Sequence, residues 1–359
     1  MNGTTLEVDL DTIIYNTTQV VERCHQLGIA VLGVTKGFSA MHQIVSAIVE
    51  GGADGLADAR MENIIELRKR SFNQEITLLR LPGLSNVEDI VEYADTSINS
   101  EMTVIEALSK AAITLNKIHK IILMVDVGDL REGLLANHVL DAVVQMNDFK
   151  GVRLLGVGTN MGCYGGILPS PENLGVLVAL ANAVERKIGR RLEVVSGGGT
   201  SSLSLVEEKK VPAGINQLRI GEGILLGTDT THNRRISWLR QNAFLLRAEV
   251  IEVKCKPSLP IGDVGRDAFG HVPHFIDKGV RNRAILALGK QDVDVDGIAP
   301  LNEKMKILGA SSDHLILDIT DCEQDIKVGD EIGFSLSYSG LLSVSDSSYV
   351  AKIFTRRTL

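Results

Sequence analysis

Lys36 ends the apolar run "AVLGVTK" and stands immediately before a glycine. Two readings fit a lysine placed there. Its stem can pack while the ammonium group snorkels to water or a carboxylate. Alternatively, a partly desolvated amine of lowered pKa can attack an aldehyde and form a Schiff base. The residues ending the other apolar runs bear on this choice. "SGGGTSSL" offers Gly197, Gly198 and Gly199, which let backbone amides approach an anion, followed by the hydroxyls of Thr200 and Ser201 at the start of an expected helix. A glycine-rich turn with an ordinary serine N-cap would read the same way. "RIGEG" then places Gly221 and Gly223 after the next apolar run, a second loop of the same kind. Arg219 interrupts a run otherwise made of Leu, Ile and Gly. A guanidinium does not shed its charge, so if buried it needs an acceptor. A pyridine nitrogen would serve. Held by an arginine it stays unprotonated, which weakens the ring as an electron sink and suits simple proton transfer. Asp58 in "GLADA", Asp126, Asp129 and Arg131 in "LMVDVGDLREG", and Asn160 in "LLGVGTN" also sit at run ends.

The elements that must position these residues follow from periodicity. Up to about residue 230, β-branched runs of strand length alternate with longer segments of helical spacing. The expected strands are "IAVLGVTK", "GLADA", "ITLLRL", "TSINS", "KIILMVDV", "RLLGVGTN", "LEVVSGG" and "QLRIGEGILLG". Between them lie amphipathic stretches such as "AMHQIVSAIVEGG", "MTVIEALSKAAITLN" and "NLGVLVALANAVERKIG", long enough to cross back over a sheet. The pattern is α/β, best met by a closed (β/α)8 TIM-type barrel, with an open doubly wound sheet as the alternative. In such a barrel the chemistry sits where strands end, and two late glycine loops form its usual phosphate site. Past residue 235 the texture changes to short β-rich runs separated by Gly, Asp and Pro turns, which reads as a C-terminal all-β domain. The expected domains are 1–232 and 233–359, joined through "TDTTHNRRISWLRQ".

Composition sets the outer limits. The 359 residues, 44% hydrophobic and 23% charged, can bury a large core and divide into two domains. A net charge of -8 and no basic block beyond "ELRKR" and "ERKIGRR" argue against a nucleic-acid partner. No leader pattern and no apolar stretch of spanning length are visible, so no membrane partner and a cytoplasmic location are expected. Four cysteines lie far apart without C-x-x-C spacing and are expected to be free thiols, with no metal site.

Taken together, "LEVDLDTIIYN", "VTKG", "VDVGDLREGL", "LLGVGTN", "SGGGTSS" and "LRIGEGILLG" occur in the order found in pyridoxal-phosphate enzymes with an alanine racemase-like barrel. The chain resembles that family over roughly residues 5–230, and its β-rich remainder resembles the second domain that racemases carry. "VTKG", "DVGDLREG" and "DAFG" are most similar to the ornithine and basic-amino-acid racemase branch. The resemblance implies a pyridoxal 5'-phosphate cofactor held by Lys36 as an internal aldimine, with Lys36 also one proton-transfer base. It implies Arg219 against the pyridine nitrogen, and Ser201 with the amides of Gly221 and Glu222 on the phosphate. Asn160 stands where alanine racemases have a histidine stacked on the ring. Arg131 matches the arginine that orients cofactor phenolate and substrate carboxylate, and the other reading for it is a surface ion pair with Glu132.

The chain also departs from the family. Alanine racemases have a tyrosine after the lysine motif, where this chain reads "KGFSA", and a second catalytic tyrosine from the partner subunit, where it reads "DVGRDAFG". Of Arg266 and Asp267 nearest that position, Asp267 is the candidate for the opposite-face base, with a turn-capping aspartate as the equal alternative. Tyr338 and Tyr164 are other hydroxyl donors, each also readable as a packed tyrosine. "GKQDVDVDG" adds Asp292 and Asp294, expected on one side of a strand by alternation. They either pair with the side-chain ammonium of ornithine or lysine or form a solvated acidic edge.

The implied reaction is two-base racemisation of a free amino acid by a homodimer with shared active sites, each β domain covering its partner's barrel mouth. A broad-specificity, alanine or serine racemase and a non-catalytic carrier of the cofactor are the alternatives. Arg219 argues against a decarboxylase, which would set a carboxylate on the ring nitrogen. A metal-assisted aldolase or dehydratase would want a His-x-Asp or His-x-Cys pair, absent around His271, His274 and His314.

Overall fold

The structure, a computed structural model, describes residues 3–356; the ends of the two expected domains, residues 1–2 and 357–359, lie outside them. These residues divide into two compact units, one spanning Leu10–Gln241 and the other joining residues 3–9 to residues 242–356. Strand β1 (Thr4–Asp9) belongs to the second unit, and helix α1 (Leu10–His25) begins the first.

The first unit is the expected closed barrel. Its strands are β2 (Ala30–Val34), β3 (Gly55–Asp58), β4 (Ile76–Leu78), β5 (Thr96–Asn99), β6 (His119–Met124), β7 (Val152–Gly158), β8 (Val194–Ser196) and β9 (Gln217–Ile220). All pair in parallel, and β2 with β9 closes the ring, which removes the open-sheet alternative. Outside run α2 (His42–Glu50), α3 (Met61–Lys69), α4 (Val87–Tyr93), α5 (Met102–Thr114), α6 (Val139–Met146), α7 (Pro171–Ile188), α8 (Leu203–Glu207) and α9 (Glu222–Leu226).

Strands covered on both faces must be apolar throughout, and β3, β4, β5 and β9 are buried at every position. The helices need only one apolar stripe: α5 buries Ile105, Leu108 and Ala112 at helical spacing. Local chemistry fixes the ends of α7. Ser170 and Asn173 form a reciprocal capping box, Pro171 opens the first turn, and Gly189 stops the helix at φ 72°.

Register decides what points inward. Leu32 faces Arg219 and Val34 faces Ala57, so these side chains share the inner face. Leu32, Val34 and Ala57 pack with Leu79 on one side, while Ile98, Ile122, Met124 and Leu155 pack with Val194 on the other. A Cβ on Gly156 would stand 1.8 Å from the Val194 carbonyl oxygen, so only glycine lets β7 and β8 approach beside the register shift of β6 and β7.

Several expectations shift. β2 ends at Val34, and Lys36 opens a 3-10 turn (Lys36–Phe38) anchored by the fully buried Phe38. "QLRIGEGILLG" is a strand only to Ile220, because Gly221 bends away and Glu222 starts α9. The junction folds with the barrel, not beyond it. β10 (Thr228–Asp229) and β11 (Arg234–Arg235) pair, and the Arg23 guanidinium lies 4.2 Å over the Trp238 ring. The Asn16 amide donates to the carbonyls of Ile224 and Arg240, so this unit runs to Gln241, past the division expected at 232/233.

The second unit holds β12 (Phe244–Pro257), β13 (Val280–Leu286), β14 (Ile298–Pro300), β15 (Lys306–Ala310), β16 (Leu315–Asp318), β17 (Glu331–Leu336), β18 (Ala351–Thr355) and the short α10 (Tyr338–Asp346). It is therefore mostly β. The sheet runs β14-β17-β12-β13-β16-β15, and β1 joins it antiparallel to β12 and parallel to β18. β1 buries Thr4, Leu6 and Val8 in strict alternation, the signature of a half-covered strand. The strand expected in "GKQDVDVDG" is instead a turn leading into a 3-10 turn at Val295–Gly297. Its aspartates cap local amides, so the alternation that put Asp292 and Asp294 on one strand face does not apply.

At the start of β6 the His119 ring is 3% exposed and shares a 2.8 Å hydrogen bond with the Ser97 hydroxyl. Burial pushes its pKa down to about 4, with Asp95 pulling up and Lys117 down. Below the ordinary value of 6.5 the unfolded chain binds a proton that the folded chain refuses, so stability falls as pH drops from 6.5 to 4. That loss should approach roughly 3 kcal/mol, at about 1.4 kcal/mol per pH unit. Urea unfolding across this range should show a stability slope that flattens by about one proton in His119→Gln; an unchanged slope would refute the assignment.

Candidate active site

Lys36 follows β2 by two residues, and the residue between is clamped. The Thr35 hydroxyl donates to Asp58 Oδ2 at 2.5 Å, and Asp58 also accepts from the Arg60 amide at 2.8 Å and the Asn63 side chain at 3.1 Å. Burial pushes the Asp58 carboxyl up, against these hydrogen bonds, which favour the ionised form. The backbone carrying Lys36 is thus pinned from the neighbouring strand. Its half-buried ammonium group meets no hydrogen-bond or ion-pair partner among the described residues. That leaves it available to a ligand and removes the carboxylate version of the snorkelling reading.

Arg219 lies on the inner face of β9 and is 6% exposed. Its guanidinium donates to the Ser196 hydroxyl and, at 2.7 Å, to the Thr159 carbonyl. No carboxylate among the described residues stands within ion-pair distance. Burial pushes its pKa down to about 10, while the Glu132 carboxylate pulls it up, so it keeps its charge at neutral pH. The buried Thr159 hydroxyl beside it has no partner among the described residues. A buried cation with spare donors and an unsatisfied hydroxyl fit a polar ring offering an acceptor nitrogen.

Two loops follow β8 and β9. Gly198 takes φ 103°, the region glycine enters without strain, and leads into the 3-10 turn Thr200–Ser202. The Ser202 hydroxyl donates to the Gly197 carbonyl at 2.7 Å, closing this loop on itself. The Gly223 amide donates to the Thr200 hydroxyl oxygen at 3.1 Å, tying the second loop to the first. First-turn amides have no acceptor within their own helix and carry partial positive charge, so the paired loops suit a phosphate. Of Glu222 only the amide is left for such a ligand. Its carboxylate turns away to accept from the hydroxyls of Thr228 and Thr230 and from the Thr230 amide.

The loop after β6 brings Arg131. Its Nε and Nη2 meet the two carboxylate oxygens of Glu132 at 2.5 and 2.9 Å. The ion pair set against a site role for Arg131 therefore exists, yet the Glu132 side chain is only 12% exposed and also accepts from the Asn160 amide at 3.3 Å. Arg131 itself is exposed, at 37%, so the pair joins a solvent-facing guanidinium to a sheltered carboxylate on the loop after β6. Glu132 was legible only as a neighbour of Arg131, because nothing in the sequence shows that Asn160, from another loop, would reach it. Asp129, 2% exposed, accepts from the amides of Gly162, Tyr164, Gly165 and Ile167, fastening the loop after β7 to the loop after β6.

The barrel thus gathers Lys36, Arg131, Asn160, Thr200, Ser201, Arg219, Gly221 and Glu222 at the ends of β2, β6, β7, β8 and β9. Asp267, Asp292 and Asp294 belong to the second unit, where each holds a turn. Asp267 Oδ1 accepts from the amides of His271 and Phe269, and these bonds hold its carboxyl below the usual range. Asp292 accepts from the Gly289 amide and Asp294 from the Asp296 amide. Tyr164 is exposed on the loop that Asp129 fastens, and Tyr338 opens α10.

Residues 8–229 match the family described as alanine racemase, N-terminal domain. The chain is 40% identical over 348 residues to an ornithine racemase of Acetoanaerobium sticklandii, covering 97% of this chain and 98% of the relative. It is 41% identical over 349 residues to a lysine racemase of Thermotoga maritima, with coverage of 97% and 98%. Among solved structures, an alanine racemase of Streptomyces coelicolor superposes with a TM-score of 0.77 at 18% identity, covering 99% of this chain and 98% of that one. A D-threonine aldolase of Filomicrobium marinum gives 0.71 at 16% identity over 95% and 88%. At these identities the structural matches speak for the fold alone.

The Asp129 contacts make a direct prediction. Asp129→Asn keeps one acceptor but loses the charge that four amides share, so their exchange with deuterium should quicken by about tenfold or more while the barrel strands stay protected. Unchanged exchange at Gly162, Tyr164, Gly165 and Ile167 would rule out this role.

Proposed function

The chain belongs to the alanine racemase family and is an amino-acid racemase, an isomerase; from that premise we propose that it interconverts the enantiomers of ornithine or lysine with pyridoxal 5'-phosphate as cofactor. The observation that carries the cofactor assignment is the buried Arg219 on the inner face of the same barrel as Lys36, the first without a carboxylate and the second without a partner among the described residues. Pyridoxal phosphate, when bound, supplies an aldehyde for amines and a conjugated ring that takes up the electron pair left when an α-proton departs.

The chain's own residues do the rest. Lys36 would hold the aldehyde through its amine and would accept or return the α-proton on one face. Arg219 would hold the ring nitrogen as a hydrogen-bond acceptor, because it keeps its own proton at neutral pH. An acceptor ring nitrogen so held would make the ring a moderated electron sink, which suits proton exchange at the α-carbon. Ser201, the Thr200 hydroxyl and the amides of Gly221 and Glu222 would hold the phosphate. Asn160 would lie beside the ring, and Arg131 would orient the substrate carboxylate.

On the opposite face the reading assigns the proton to Asp267. Hydrogen bonds that depress its pKa make it a weak base, so this step is expected to limit the rate in one direction. Asp292 and Asp294 are assigned to the side-chain ammonium of the substrate. A homodimer with shared sites is supported by the loop between β12 and β13, which leaves Ile261, Val264, Val272, Phe275 and Ile276 exposed; a second copy of the chain is the occupant proposed for them. Four free cysteines accord with a cytoplasmic protein.

Chiral analysis of ornithine, lysine, alanine and serine after incubation with protein and cofactor tests the whole reading. Exchange should be fastest for the basic amino acids, should fall at least about 10³-fold in Lys36→Ala, and borohydride should modify Lys36. Exchange of none of the four would favour a carrier of the cofactor and overturn the proposal. Asp292→Asn combined with Asp294→Asn should raise KM for ornithine about tenfold and leave KM for alanine near its starting value. An equal effect on both substrates would remove these aspartates from ornithine recognition.

A further inference from the structure

We propose that Glu132 is a positioning residue of this site, its carboxylate fixing the Arg131 guanidinium and the Asn160 amide, which arrive from two different loops, for the substrate and the ring. The inference rests on the reading of Arg131 and Asn160 given above and adds the group through which they act.

Three observations carry it. The first is geometry: both Glu132 oxygens are engaged by Arg131, at 2.5 and 2.9 Å, and one also accepts from Asn160 at 3.3 Å. A side-on, two-point contact holds a guanidinium in plane as well as in place. Asn160, by donating its NH2 to Glu132, turns its carbonyl oxygen elsewhere and loses the freedom to flip.

The second is the backbone beneath. The loop closes on itself through the Leu134 amide to Met124 and the Asp126 amide to Leu134, at 2.8 and 2.9 Å. Asp126 caps the amides of Gly128 and Leu130, Leu130 takes φ 54°, and a Cβ on Gly133 would stand 2.5 Å from the Asp126 nitrogen. This frame fixes the backbone that carries residues 131 and 132.

The third is charge. Lys36, Arg131 and Arg219 place three cations at one barrel mouth. Asp129 spends its carboxylate on backbone amides, as does Asp126, and Asp58 is held by Thr35, Asn63 and the Arg60 amide. Among the described residues Glu132 is the carboxylate that meets one of the three cations directly. Its field also reaches the buried Arg219.

Glu132→Gln, which keeps the shape and removes the charge, and Glu132→Asp, which keeps the charge and shortens the reach, test this in the full-length protein with cofactor. Glu132→Gln should lower kcat for ornithine by about 10- to 100-fold, the cost of groups misplaced by an ångström. It should also raise the cofactor dissociation constant, read by fluorescence titration independently of turnover. Glu132→Asp should recover part of kcat. Combined with Asn160→Ala, Glu132→Gln should cost little more than the larger single loss, because the two residues act as one unit. Values within about twofold of the unaltered protein for kcat, KM and cofactor binding would overturn the proposal. So would multiplication of the two single losses, or equal impairment in both Glu132 variants with a lowered unfolding midpoint. A chain that racemises no amino acid would sink the function reading instead, and the cofactor titrations would still decide on Glu132.

Discussion

A guanidinium buried on the inner face of the barrel, without a carboxylate in contact, is the constraint from which the rest of the site follows. Removing such a charge from water costs several kcal/mol unless hydrogen bonds replace the lost hydration. At Arg219 the protein supplies the Ser196 hydroxyl and the Thr159 carbonyl, and holds Glu132 near enough to act through its field. The remaining donors have no acceptor among the described residues. A side chain maintained in that state is useful where a ligand completes its hydrogen bonding, and an acceptor ring nitrogen does so without taking the proton.

The surrounding carboxylates divide the work of keeping that mouth in shape. Asp58 pins the residue before Lys36, Asp126 folds the loop after β6, and Asp129 gathers four amides of the loop after β7. Each acts on backbone, so each converts a flexible connection into a support for a side chain one or two residues away. Glu132 differs because it acts on side chains from two loops at once. A site built on loops reaches the precision that proton transfer needs when those loops are tied down in this way.

Much of this was legible from residue type and spacing. The eight strands, the crossing helices, the glycine loops and the β-rich C-terminal part follow from periodicity and turn chemistry, and the barrel has the closure those runs imply. Lys36 and Arg219 stood out because each is costly in the run where it occurs. Element ends were less legible. Gly221 breaks the last strand earlier than its apolar content indicates, and "GKQDVDVDG" alternates like a strand while its aspartates bind their own amides. Apolar pattern reports burial, but the end of a strand depends on where its neighbour stops pairing.

The sequence by itself determined the eight alternating strand and helix units, the lysine and arginine at the strand ends, and the loops suited to an anion, because these depend on local periodicity and on the intrinsic cost of burying a given side chain, while the pairing of β2 with β9 decided that the sheet closes. Only the tertiary structure decided that β1 pairs with β12 and β18, that residues 233–241 fold with α1, and that Glu132 joins Arg131 to Asn160. Those contacts join residues far apart in the chain or on separate loops, and their free energy comes from partners that chain closure alone brings into range.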